Sequence, residues 1–217
     1  MDKILDHAKN VNKIKDNKYF IKLNNKPTKD SFIKSQEAFI NAVDMWSKAL
    51  ATIMTKLPTY EDRLLVLENL WDEHGCGDLN KCHVNTFRLF ISDLGRKGRI
   101  NTGTKYDSYD KVMKFNSKIL EYVQGENWIK SVAMLGMIEY TYIDVSSCIN
   151  KYVNNFIEQE NINHYTLHET LDEKHARDLF KIIEAYYFNF KEDILEGIND
   201  GYKFMDNLYE DLCDFLE

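Results

Sequence analysis

His168-Glu169-Thr170-Leu171-Asp172-Glu173-Lys174-His175 holds two of the chain's six histidines and one aspartate, separated by three and then two residues. At about 100° per residue on a helix, Asp172 sits roughly 40° from His168, and His175 roughly 20° on its other side. All three side chains then leave one narrow stripe. Two imidazoles and a carboxylate converging on one spot are the donor set preferred by a redox-capable iron or manganese ion. The stretch therefore reads as a helix with a metal-binding face, and the rest of the chain is read for what completes it.

The same helical period runs outward from this stretch in both directions. From Ser31 to about Lys56, apolar residues recur at helical spacing: Phe32, Phe39, Ile40, Val43, Trp46, Leu50 and Ile53. Pro58 closes that helix, because proline disfavours helical geometry in the residue before it. A second helix runs from about Tyr60 to His74 and is broken by Gly75-Cys76-Gly77. Asp78 is the expected N-cap of a third, which carries His83, Phe87, Phe90 and Leu94 and ends at Gly95. After a Gly-rich connection over 96–108, a fourth helix is expected from about Ser108 to Val123. A fifth, from about Asn127 to Glu158, is the most apolar. The sixth starts near Tyr165 and carries the opening motif, and Gly197 and Gly201 are expected to kink or divide the tail. Residues 1–30 are polar and read as a short helix followed by a loop. The expectation is an all-α fold of seven to eight helices forming a single domain over 1–217, with 1–30 as an N-terminal arm and 31–217 as the bundle.

Bulk properties narrow the function. With 217 residues, 44% of them hydrophobic, the chain can bury a core without disulfides or a structural metal. The net charge of −7, with no Lys/Arg cluster on one helix face, argues against nucleic acid. The N-terminal MDKILDHAKNVNKIKDNKYF lacks a signal peptide's apolar run, and no segment approaches about 18 apolar residues, so no membrane partner is expected. Cys76, Cys82, Cys148 and Cys213 follow no disulfide framework and read as reduced thiols of a cytoplasmic protein.

Two other stretches offer metal donors. Glu139 is the only charged residue between Lys130 and Asp144, on the most apolar helix, where a carboxyl must be paired, protonated or metal-bound. Glu73 ends one helix and His83 lies in the first turns of the next, ten residues on across a glycine break that carries no helical phase, so the two could reach one centre, although His83 taken alone reads first as a core histidine. A zinc site from His74, Cys76, Cys82 and His83 lacks a knuckle spacing. No glutamate has a histidine three residues later, which disfavours the Glu-x-x-His pairs of ferritin-like bundles.

Taken together, Asn69-Leu70-Trp71-Asp72-Glu73-His74-Gly75, His83, Glu139, His168, Asp172 and His175 resemble the haem-oxygenase-like dimetal oxidases, the iron-containing redox enzymes, over about residues 30–210. The resemblance implies a haem-oxygenase-like bundle without haem that holds two iron ions, or a manganese–iron pair, and uses O2 and an external reductant. It implies Glu73, His83, Glu139, His168, Asp172 and His175 as metal ligands. Some members add a carboxylate from the first core helix, for which Asp44 and Glu37 are available. Relatives oxidise small molecules or make para-aminobenzoate from the enzyme's own tyrosine. In this chain Tyr19, Tyr140, Tyr142 and Tyr165 are near the site elements, and Lys151 is an internal nitrogen source to weigh.

The leading expectation is thus an O2-activating dimetal oxidase or oxygenase acting on a small organic substrate or its own tyrosine. The alternative is a non-catalytic helical scaffold for a partner protein. A metal-free thiaminase-like hydrolase needs a catalytic cysteine, for which Cys148 is the candidate. A homodimer is the assembly expected on general grounds.

Overall fold

The computed structural model describes residues 1–95, 109–156 and 164–217, and among these there are nine α-helices and no strand. They are α1 (Asp2–Val11), α2 (Lys18–Asn24), α3 (Lys29–Met54), α4 (Tyr60–Glu73), α5 (His83–Asp93), α6 (Asp110–Gln124), α7 (Trp128–Val153), α8 (His164–Glu184) and α9 (Lys191–Leu212). The Gly-rich connection over 96–108 lies outside the described residues. Among the described residues no helix is long and apolar enough to cross a membrane.

The centre of the bundle is α7, as its apolar run requires. It is flanked by α8 and α9, while α3 packs against α4, α5 and α6, and α4 also meets α8. Side-chain caps set several starts. Thr28 accepts from the Ser31 amide at the head of α3, Thr59 from Asp62 at the head of α4, and Asn127 from Lys130 at the head of α7. Each satisfies an amide that the first helical turn leaves open.

The helix count exceeds the expected seven to eight because the N-terminal arm is more structured than a helix and a loop. It folds as α1, a 3-10 turn at Ile14–Asp16, and α2. Six of its apolar residues, Ile4, Ala8, Ile14, Tyr19, Phe20 and Leu23, are buried in the common core. Tyr19 and Phe20 pack on Tyr209 of α9. The low overall hydropathy hid the second helix, although Ile4, Ala8 and Val11 recur at helical spacing in the first.

The third helix also starts later than expected. Asp78 caps a 3-10 turn at Leu79–Lys81 by accepting from the Asn80 amide, and α5 begins at His83. Gly75 makes the preceding turn possible. Its φ of +64° is left-handed, and a Cβ there would stand 2.5 Å from the Lys81 carbonyl carbon. The chain therefore doubles back tightly enough to put the start of α5 beside the end of α4.

The tail glycines do not kink or divide the tail helix. The α9 helix runs unbroken through Gly197 and Gly201, whose missing side chains let its backbone lie against α7.

Candidate metal centre

Four helices deliver the six expected donors into one buried region: α4 brings Glu73, α5 His83, α7 Glu139, and α8 His168, Asp172 and His175. The α8 residues share the predicted stripe. His168 Nδ1 and Asp172 Oδ1 are hydrogen-bonded at 2.8 Å, and His175 Nδ1 lies 4.0 Å from the same oxygen. Across the glycine turn, Glu73 Oε2 contacts His83 Nδ1. Donor atoms of Glu139, Asp172 and His175 lie within 4.8 Å of one another, a spacing at which they could hold a metal ion.

A second such group joins His83 and His168 with His164, also within 4.8 Å. The His83 ring stacks on both others, with centroids 4.2 Å apart for His83–His168 and 4.7 Å for His83–His164. Sequence reasoning missed His164. It lies one turn before His168 on the same stripe, but with the helix expected to begin near Tyr165 it fell outside the periodic segment. Had the helix been extended by one residue, the stripe would have included it.

Surrounding groups orient these donors. Glu139 Oε1 accepts from Trp46 Nε1 at 3.0 Å and from Asn69 Nδ2 at 2.9 Å. His175 Nε2 donates to Asp72 Oδ2 at 3.1 Å, which leaves Nδ1 as the lone-pair nitrogen facing inward. The Thr86 hydroxyl is committed as donor to the His83 carbonyl, so it accepts from His164 Nδ1 at 3.1 Å. His164 Nε2 is then the acceptor facing His83 Nε2 at 3.3 Å. Carboxylate or hydroxyl support behind an imidazole is the usual way a ligand histidine is held in one tautomer. Asp72, Asn69 and Trp46 carry no local signal of these roles, because each partner is distant in sequence.

Burial dominates the electrostatics. It pushes the Glu73 and Glu139 carboxyls up to about 7, against opposing help from neighbouring histidines. Asp172 is driven well above the usual carboxylate range by burial and by Glu73. Burial also lowers His83 and His168 to about 3 and takes His164 well below its ordinary value. At mildly acidic pH, Glu73, Glu139 and Asp172 are thus neutral acids and His83, His164 and His168 neutral imidazoles in the metal-free protein, which avoids burying unpaired charge.

Two opposed stability linkages follow. The raised glutamates stabilise the metal-free fold below their ordinary 4.5, and this is lost as pH rises through 7. The lowered histidines stabilise it above 6.5, and this is lost as pH falls through 3. The thermal midpoint of metal-free protein should therefore show a broad maximum between about pH 4.5 and 6.5. Calorimetry across a pH series checks this, and a midpoint that keeps rising from pH 6.5 to 8 would contradict it.

Beside the cluster lies a partly open pocket walled by Phe39, Ala42, Val43, Phe115, Ile138, Met205 and Leu208 with Trp46 and Tyr142. His83, Glu139, His168 and Asp172 supply its polar lining, and among the described residues no lysine or arginine lines it. Of the tyrosines considered above, only Tyr142 reaches this wall. Tyr19 is bonded to Ser35 and Gln36, Tyr165 donates to Gln36, and Tyr140 is only half-buried, outside the cavity wall. Lys151 is exposed, three turns beyond Glu139 on α7. Asp44 is also exposed, paired with Lys48, and Glu37 is buried on α3 outside the cavity wall. Cys148 stands outside that wall too.

The cluster passes a direct test of fit to a metal. Asp172 Oδ2 and His175 Nδ1 are buried with no hydrogen-bond partner, an expensive arrangement unless something else takes up their lone pairs. Buried carboxylate and imidazole donors on facing helices are the arrangement from which helical bundles build metal sites. The family model for iron-containing redox enzymes matches residues 35–205, and the chain belongs to that family, with the haem-oxygenase-like helical bundle expected of it. It is an oxidoreductase by that membership. No curated protein matches the chain closely.

Proposed function

We propose that this chain is an O2-activating non-haem oxidase or oxygenase whose two iron ions are held by Glu73, His83, Glu139, His168, Asp172 and His175, with His164 as a seventh donor. The observation that carries this reading is the pair of unsatisfied buried donor atoms, Asp172 Oδ2 and His175 Nδ1, at the centre of seven converging side chains. The metal supplies O2 activation and the transfer of electrons to it. A scaffold that binds only a partner protein would gain nothing from this cluster and would carry its desolvation.

The protein's own groups do the rest. Glu73, Glu139 and Asp172 give up their protons as they become ligands, so metal uptake releases protons and weakens as pH falls below about 7. Asp72 holds His175 in the tautomer that presents Nδ1. Trp46 and Asn69 keep Glu139 from rotating. The apolar wall excludes water from the reacting end and suits a compact substrate without an anionic tail, since no lysine or arginine among the described residues lines it. Tyr142, on that wall, is the chain's own alternative substrate. We read residues 1–217 as one domain, the arm included.

Anaerobic ferrous titration by calorimetry tests the reading. It should give two equivalents bound with proton release, and a visible absorbance change on admission of O2. A chain that takes up no iron rejects the proposal.

A further inference from the structure

The opposite face of α4 carries an uncovered apolar stripe. Tyr60, Leu64, Leu67 and Trp71 follow one another at spacings of four, three and four, within about 60° of arc. Their exposures are 83%, 54%, 47% and 55%, and Leu79, just beyond, is exposed at 78%. The face turned inward, by contrast, carries Val66, Asn69 and Glu73. Together the exposed residues present roughly 500–600 Å² of largely apolar surface. That is at the upper end of what a monomer normally shows, and most of the ~800 Å² per partner in a standard interface.

Both aromatic ends of the stripe are held in place. The Arg63 guanidinium sits 4.6 Å from the Tyr60 ring centroid, and Arg63 also donates to the Leu57 carbonyl. Trp71 lies over Gly77, where a Cβ would come within 3.0 Å of its ring. Anchors ordered in advance lose little entropy on docking.

We infer that a second copy of this chain covers the stripe, forming a two-fold dimer through α4. The order aromatic, leucine, leucine, aromatic reads the same from either end. An antiparallel copy therefore sets Tyr60 against Trp71 and Leu64 against Leu67, the self-complementarity that a two-fold interface requires. Arg63 edges one side of the stripe, and Glu61 and Glu68 the other, with Lys174 3.2 Å from Glu68. Both signs are thus present at the rim. An anionic membrane surface would call for a basic rim instead. The dimer braces the helix that delivers Asn69 and Glu73 to the metal centre.

Sedimentation velocity of the chain across the micromolar range tests this. The wild type should dimerise. Leu64→Glu combined with Leu67→Glu should raise the dissociation constant at least ~100-fold while the far-UV circular dichroism keeps the wild-type helical signal, since both side chains are exposed on the folded chain. Phe188→Glu, a change at an exposed residue outside the stripe, should leave the dimer intact. The inference is overturned by a wild type that stays monomeric, by a dimer that survives the double substitution, or by one dispersed by the Phe188 change.

Discussion

Asp172→Asn should lower iron affinity at least ~100-fold while leaving the metal-free protein folded and as stable as the wild type to within about 1 kcal/mol. The two halves of this expectation have one cause. Burial and Glu73 hold Asp172 well above the usual carboxylate range, so the metal-free protein contains a neutral acid at this position. Asparagine is nearly isosteric with that acid, and its side chain can still hydrogen-bond to His168 Nδ1. What it cannot do is lose a proton and become an anionic ligand. Iron affinity and stability therefore separate in this variant. Ferrous titration alongside thermal melts of the metal-free form measures both, and unimpaired iron uptake would remove Asp172 from the ligand set. Asp172→Ala would be less informative, because a cavity at the centre of the cluster lowers stability as well.

The second large effect is on folding. Gly201→Ala should destabilise the protein by about 3 kcal/mol or more. On an isolated helix the change would help, since alanine exceeds glycine in helix propensity by about 1 kcal/mol. Here the new methyl would stand 2.5 Å from the Met134 carbonyl oxygen and 2.9 Å from Met137 Cβ. Neither atom is the flexible end of a side chain, so α9 must lift away from α7 and the packing along both helices opens. Overpacking against backbone outweighs the propensity gain. Met134 and Met137 also lie one turn or so before Glu139 on α7, so iron affinity should fall with stability. Urea unfolding of the metal-free protein gives the size of the effect, and a variant as stable as the wild type would show that the helices are not locked by this contact.

The contrast between these two positions separates local from global information. The stripe of His168, Asp172 and His175 was legible because three residues within eight share a helical face whatever the rest of the chain does. Glu139 was legible for a similarly local reason, since a lone carboxyl in an apolar helix needs a partner. Glu73 and His83 came from the resemblance and from a glycine break whose geometry only the folded chain shows. The left-handed turn at Gly75 and its close approach to Lys81 convert ten residues of sequence separation into a direct contact.

The misread features share one cause. Gly197 and Gly201 look like helix breakers because glycine is a poor helix former, but an interhelical contact overrides propensity when backbones must touch. The second half of the arm reads as loop because it is polar, yet Tyr19 and Phe20 find Tyr209 almost two hundred residues away. His164 was lost to an uncertain helix start. Its role depends on Thr86 and His83, which no spacing reveals.

The sequence by itself therefore determined an all-helical chain, its central apolar helix, the family resemblance and the donor stripe of α8, all set by short-range periodicity and residue chemistry. The tertiary structure alone decided which histidines face each other, which nitrogen each presents, which glycines are interfaces, and which side of α4 is left uncovered. Those depend on distances between segments far apart in the chain, and such distances exist only once the helices have packed.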